Sequence, residues 1–131
     1  MRIIAGKKKG KKILTSSDKK TRPLRDMVKE SIFNILIHSS LLKKKINQCI
    51  ILDIFSGVGS FGLEAISRGA KKVIFFENYK PTIELLMKNI NILGFNKQTE
   101  INEKNIYIDN DFKKLNYRFD LIFLDPPFKD K

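Results

Sequence analysis

One stretch constrains this chain more than any other: Cys49-Ile50-Ile51-Leu52-Asp53-Ile54-Phe55-Ser56-Gly57-Val58-Gly59-Ser60-Phe61-Gly62. A mostly apolar run passes directly into a turn whose glycines, at 57, 59 and 62, spell G-x-G-x-x-G. A continuous apolar run bounded by glycine predicts a strand buried on both faces. Ser60 to Arg68, closed by Gly69, predicts a helix directly behind it. Strands of this kind belong to parallel sheets covered by helices.

The remaining pattern extends the same architecture. Lys72-Val73-Ile74-Phe75-Phe76-Glu77 predicts a second buried strand, and Pro81 to Leu93 a long helix with Gly94 after it. Asn105 to Ile108 is expected to be a third, weaker strand, and Asp120-Leu121-Ile122-Phe123-Leu124 a fourth. The order β-α-β-α-β-(short helix)-β predicts an α/β fold with a doubly wound, mostly parallel sheet. The fourth strand is apolar enough to be central, yet the chain stops soon after it, at Lys131. An apolar edge would then be left open. The expectation is a fragment of a longer protein, with a covering partner as the alternative.

Residues 1–48 read differently. Arg2-Ile3-Ile4-Ala5 and Lys12-Ile13-Leu14 are expected to be two small strands around a Gly/Lys turn. A helix is expected from near Pro23, capped by Thr21, to just before Ser39-Ser40. Leu24, Met27, Val28, Ile32, Ile35 and Leu36 recur at helical spacing, and Arg22, Arg25 and Lys29 share one helical face. Charge supports a division at this point. The whole chain has 26 Lys+Arg against 14 Asp+Glu, a net +12. Residues 1–48 hold 14 basic and three acidic side chains, and residues 49–131 hold 12 and 11. The reading is a basic N-terminal extension (1–48) before a core (49–131) that is incomplete at its C-terminus. Such asymmetry points to a polyanion, nucleic acid first; a solvated lysine-rich tail is the plain alternative.

Composition excludes several classes. With 131 residues and 42% hydrophobic content, the chain has enough apolar surface for one core and is not disordered throughout. No apolar run approaches a membrane span, and Met1-Arg2-Ile3-Ile4-Ala5-Gly6-Lys7 has no apolar signal region. Cys49 is the sole cysteine, which rules out an intrachain disulfide framework and a multi-cysteine zinc site. A reducing cytoplasm, no membrane and no metal are the expectation. Cys49 is expected in the core, and His38 at a helix end is expected to be structural.

Three places carry chemistry. The glycine turn by itself suits a nicotinamide or flavin dinucleotide as well as a nucleoside, or a structural turn. Asp53 bears on that choice: a carboxylate ahead of the glycines repels a pyrophosphate and attracts the ammonium end of S-adenosylmethionine. Glu77, at the end of the second strand, is placed to accept hydrogen bonds from ribose hydroxyls. Asp111-Phe112 follows the third strand; either Asp111, or Asp109 instead, accepts the adenine amino proton while Phe112 lies along the ring, or the loop is a plain connection. The third place is Asp125-Pro126-Pro127-Phe128 at the end of the fourth strand. Pro-Pro removes two backbone donors and stiffens the turn. Asp125 and the Pro126 carbonyl can then accept both N–H bonds of an exocyclic amine, while Phe128 stacks on the base.

These motifs together resemble the class I S-adenosylmethionine-dependent amino-methyltransferases, which have a Rossmann-like sheet. The helix Thr21-Arg22-Pro23-Leu24-Arg25-Asp26-Met27-Val28-Lys29-Glu30-Ser31-Ile32-Phe33-Asn34 narrows the resemblance. With Arg2-Ile3-Ile4-Ala5-Gly6 and Gly10-Lys11-Lys12-Ile13 before it, it is similar to the N-terminal extension of RsmD-type enzymes. Those methylate a guanine N2 amine in 16S ribosomal RNA of the small subunit. Leu24-Arg25 departs from the small hydroxyl residues usual there, and family members run longer, to a seven-stranded sheet.

The resemblance implies in-line methyl transfer. Asp53, Phe55, Gly57, Gly59, Glu77, Asp111 and Phe112 would hold S-adenosylmethionine. Asp125, Pro126, Pro127 and Phe128 would present the amine. Lys7, Lys8, Lys9, Lys11, Lys12, Arg22, Arg25 and Lys29 would grip RNA phosphates. The implied partner is 16S rRNA or the assembling 30S subunit, met by a monomer. A DNA adenine-N6 or protein glutamine methyltransferase usually has tyrosine where Phe128 stands. An oxidoreductase leaves Asp125-Pro126-Pro127-Phe128 unexplained, and a non-catalytic RNA-binding module explains the basic segment and little else.

Overall fold

The computed structural model describes residues 1–16, 24–108 and 112–127. Its centre is a four-stranded parallel sheet of β1 (Ile50–Ile54), β2 (Lys72–Phe76), β3 (Thr99–Asn102) and β4 (Leu121–Leu124), in the order β3-β2-β1-β4. The chain winds outward from β1 through β2 to β3, then returns to place β4 on the other side of β1. That reversal is the doubly wound signature, and it opens a crevice at the strand ends between β1 and β4.

Helices α1 (Asp26–His38), α2 (Ser60–Ser67) and α3 (Lys80–Leu93) supply the larger core cluster. There Phe61, Leu63 and Ile66 of α2 and Leu86, Ile90 and Leu93 of α3 meet Ile51, Val73 and Phe75 of the sheet. Gly62 makes the contact possible, because a Cβ there would strike the Phe75 ring. The opposite face, Leu52, Ile54, Ile74 and Phe76, is covered by a 3-10 turn at Phe112–Leu115 and neighbouring loop side chains.

The small strands predicted at the N-terminus form a hairpin with a single antiparallel bridge, Arg2 to Lys12. Its Ile3 and Ile13 are buried in the same cluster as the sheet, with Phe33 of α1. The basic segment therefore shares its core with the sheet. The hairpin turn rests on the C-terminal end of α2, where Lys7 N–H donates to Ser67 O at 2.8 Å and Lys8 N–H to Ser67 Oγ at 3.0 Å.

Three expectations are corrected. The third strand lies at Thr99–Asn102, not Asn105–Ile108; residues 106–108 form a turn that leaves Ile108 exposed. The first described residue of α1 is Asp26, after an extended Arg25 with no side-chain cap bond, and Thr21, Arg22 and Pro23 lie outside the described residues. Of the apolar positions read into α1, Met27, Val28 and Ile35 face outward; the buried pair is Lys29 and Phe33. The fourth strand lies at the edge of the described sheet with Ile122 and Leu124 exposed, the open apolar edge that its sequence leads us to expect. Cys49 is buried, and no helix among the described residues is long and apolar enough to cross a membrane.

Candidate cofactor cleft and basic surface

A cleft of about 340 Å³ opens at the carboxyl ends of β1, β2 and β4. Register explains its composition. Ile54 pairs with Phe76 on one side and with Leu124 on the other. The next residues, Glu77 and Asp125, therefore flank Phe55 from both neighbouring strands. Phe55 itself turns the chain at a φ of 57°, unusual for a bulky side chain.

Nearly every residue of the glycine turn is held by a separate partner. Gly57 N–H donates to Glu77 Oε1 at 3.0 Å. Asn89 Nδ2 donates to Val58 O at 3.0 Å. Gly59, at a φ of 93°, lies under Leu86 so closely that a Cβ would collide with it. Lys29 Nζ donates to Ser60 Oγ at 3.2 Å, and Gly62 N–H donates to Asp53 Oδ2 at 3.2 Å. Phe61 stacks between Phe33 and Phe123, with ring centroids 4.9 and 3.9 Å away. The turn is thus preorganised rather than a loose loop.

Three carboxylates, Asp53, Glu77 and Asp125, face the cleft. Asp53 is fully buried. Burial, followed by the charges of Asp125 and Glu77, pushes its pKa up to about 8 despite the Gly62 hydrogen bond. A cation entering here would relieve that cost. The Ser56 hydroxyl at the cleft wall is buried and has no partner among the described residues, so a polar ligand atom would satisfy it. The donor set fits a nucleoside carrying a cationic end: glycine backbone, acid groups on both flanks, and an aromatic rim of Phe55 and Tyr107 at 5.7 Å.

The structure brings Asp53, Phe55, Gly57, Glu77, Asp125 and Pro127 around one cleft. Gly59 sits behind the lining. Pro126 is exposed beside it, and Phe112 meets Phe76 edge-on at 5.6 Å, behind the cleft wall. Asp111 and Phe128 lie outside the described residues, as does Arg22. Sequence reasoning passes over Ser56, Ser60, Tyr79, Lys104, Asn105, Ile106 and Tyr107, all in the lining. Ser56 and Ser60 stand inside the glycine turn and are legible there; the loop at 104–107 is hidden because its apolar residues imitate a strand.

Lys7, Lys9, Lys11, Lys12 and Arg25 are exposed and Lys8 is half-buried. Lys29 is a correction. Its side chain is completely buried, paired with Glu64 at 3.3 Å and donating to Arg2 O at 2.7 Å. It cannot reach a phosphate. Glu64 also accepts from Ile4 N–H, Ala5 N–H and Arg68 Nε, so this ionic cluster joins hairpin, α1 and α2.

The fold and cleft together define a class I methyltransferase-type α/β domain. The chain belongs to the family described as conserved hypothetical protein 95, whose profile matches residues 1–131. It is 41% identical over 133 residues to ribosomal RNA small subunit methyltransferase D of Haemophilus influenzae, covering 98% of this chain and 64% of that protein. A Buchnera aphidicola protein of the same name (subsp. Baizongia pistaciae) is 35% identical, with 98% and 62% covered. A solved candidate methylase of Haemophilus influenzae superposes with a TM-score of 0.67 at 38% identity, covering 97% of this chain and 64% of that one. A hypothetical protein of Thermus thermophilus shares the fold with a TM-score of 0.83, at 24% identity and 99% and 71% coverage. The chain spans a little under two thirds of the length of these two curated relatives.

Proposed function

We propose that the cleft binds S-adenosylmethionine and that the protein methylates the exocyclic N2 amine of a guanine in 16S rRNA. The observation that carries this reading is the β1/β4 register, which sets Asp125 and Pro127 beside the buried Asp53 on one cleft. The names of the similar proteins support the reaction class and the ribosomal substrate. The cofactor supplies an activated methyl group on a sulfonium centre. Asp53 faces the cationic end, Glu77 the ribose, and the glycine turn lets the ligand approach the backbone. Asp125 and the Pro126 carbonyl accept the two N–H bonds of the guanine amine, aiming its lone pair at the methyl carbon. Phe128 is assigned to stacking on the base and Asp111 to the adenine amino group. A paired guanine must leave its stack to enter.

Lys7, Lys8, Lys9, Lys11, Lys12, Arg22 and Arg25 are assigned to RNA phosphates. The lysine turn lies one length of α2 from the cleft, roughly 12 Å for eight residues. A cytoplasmic location and the assembling 30S subunit follow from the same reading. Labelled methyl transfer to unmodified 30S particles, followed by mapping, tests it. Guanine N2 should carry the label, and Asp125→Ala should lower kcat by about 100-fold. Transfer by that variant at the parent rate would remove the amine-orienting role.

A further inference from the structure

We propose that Asn89 is a positioning residue for the cofactor-binding turn, clamping Val58 to the N-terminal hairpin so that hairpin and cleft respond to ligands together. The proposal rests on the reading of the cleft as a cofactor site. Asparagine is a poor choice inside a helix and costly to bury without partners. Asn89 nonetheless sits within α3 at 1% exposure. Its amide explains the choice. Oδ1 accepts from Leu14 N–H at 2.8 Å, and Nδ2 donates to Leu14 O at 3.1 Å and to Val58 O at 3.0 Å. One side chain thus pairs both backbone groups of a hairpin residue and holds the middle of the glycine turn. Leu86, three residues earlier on the same helical face, packs over Gly59.

The other strand of the hairpin has a matching anchor. Lys29 Nζ donates both to Arg2 O at 2.7 Å and to Ser60 Oγ at 3.2 Å. Each hairpin strand therefore shares a buried side chain with one residue of the turn, Leu14 with Val58 and Arg2 with Ser60. Neither Asn89 nor Lys29 lines the cleft, so any effect on a ligand passes through the turn backbone. Coupling of this kind is reciprocal: a ligand that orders the turn also orders the hairpin.

Calorimetric titration of the full chain with S-adenosylhomocysteine, beside Asn89→Leu and Asn89→Asp, tests the proposal. RNA affinity and far-UV circular dichroism are read on each protein at low temperature. Asn89→Leu should bind the ligand about tenfold or more weakly, with the far-UV spectrum of the parent retained. Asn89→Asp keeps the acceptor for Leu14 N–H but sets a carboxylate against both the Val58 and the Leu14 carbonyls, so ligand affinity should fall here too. Equal ligand affinity in Asn89→Leu overturns the proposal, as does loss of ligand and RNA binding in proportion to unfolded protein. If Asn89→Leu does not fold, amide exchange in the unaltered chain decides. Saturating ligand should slow exchange at Leu14, which does not touch the cleft, and an unchanged rate overturns the clamp. A parent chain that binds neither S-adenosylmethionine nor its product overturns the cofactor reading itself, and the clamp with it.

Discussion

Asp53 shows how much one buried group governs. Its carboxyl is pushed from 3.8 up to about 8, chiefly by burial. The sign for stability follows from linkage. A folded-state pKa above the unfolded value means the contribution is whole below about 3.8 and is lost as pH rises through about 8. Asp53→Asn keeps an acceptor for Gly62 N–H and removes the ionisation. It is expected to flatten the fall in Tm between about pH 4 and about pH 8, measured by thermal melts; parallel profiles for parent and variant would refute the assignment. Under the proposed function, a cation beside Asp53 favours its ionised form, so cofactor affinity should climb over the same range. Lys29 carries the opposite lesson. Its charge counted toward a basic surface, yet burial pulls its pKa down while Glu64 supports the ammonium.

Among the elements, the strand–turn–helix unit β1–α2 was the most legible, because each of its signals is local. The apolar run, the glycines and the closing Gly69 are neighbours in the chain, and the observed bounds follow them closely. Gly62→Ala tests the closeness of that packing. A methyl group there meets the Phe75 ring, so stability in urea should fall by about 1–3 kcal/mol with the m-value unchanged. A neutral result would mean that α2 sits farther from the sheet. β3 was misplaced because only Ile101 of Thr99-Glu100-Ile101-Asn102 is apolar, whereas Asn105–Ile108 holds Ile106, Tyr107 and Ile108. Pairing with Val73 to Phe76 selected the first segment. On α1, spacing identified the helix but not its buried face, which is set by where Phe33 meets Phe61 and Arg68.

For the whole molecule, charge and shape are separable. The basic segment contributes Ile3, Ile13 and Phe33 to the common core while holding its lysine turn outward on α2. RNA binding should therefore depend steeply on salt. Replacing Lys7, Lys9 and Lys11 by Gln should reduce the slope of log affinity against log salt by about two to three, with little change in Tm. An unaltered slope would place the RNA elsewhere. On the opposite flank β4 leaves Ile122 and Leu124 exposed on the face that continues Leu52 and Ile54. That uncovered apolar stripe matches the open edge anticipated from the run of apolar residues at 121–124.

The order of strands and helices, the glycine turn, and the placement of Asp53, Glu77 and Asp125 at strand ends were all determined by the sequence itself. Each rests on residues within one strand, turn or helix, where periodicity and backbone freedom act directly. Only the tertiary structure decided that Lys29 is an internal ion-pair partner, that β3 precedes its expected place, and that Asn89 joins Leu14 to Val58 across separations of 75 and 31 residues. Burial and partnership at such distances depend on which faces pack together, and spacing along a single chain does not carry that information.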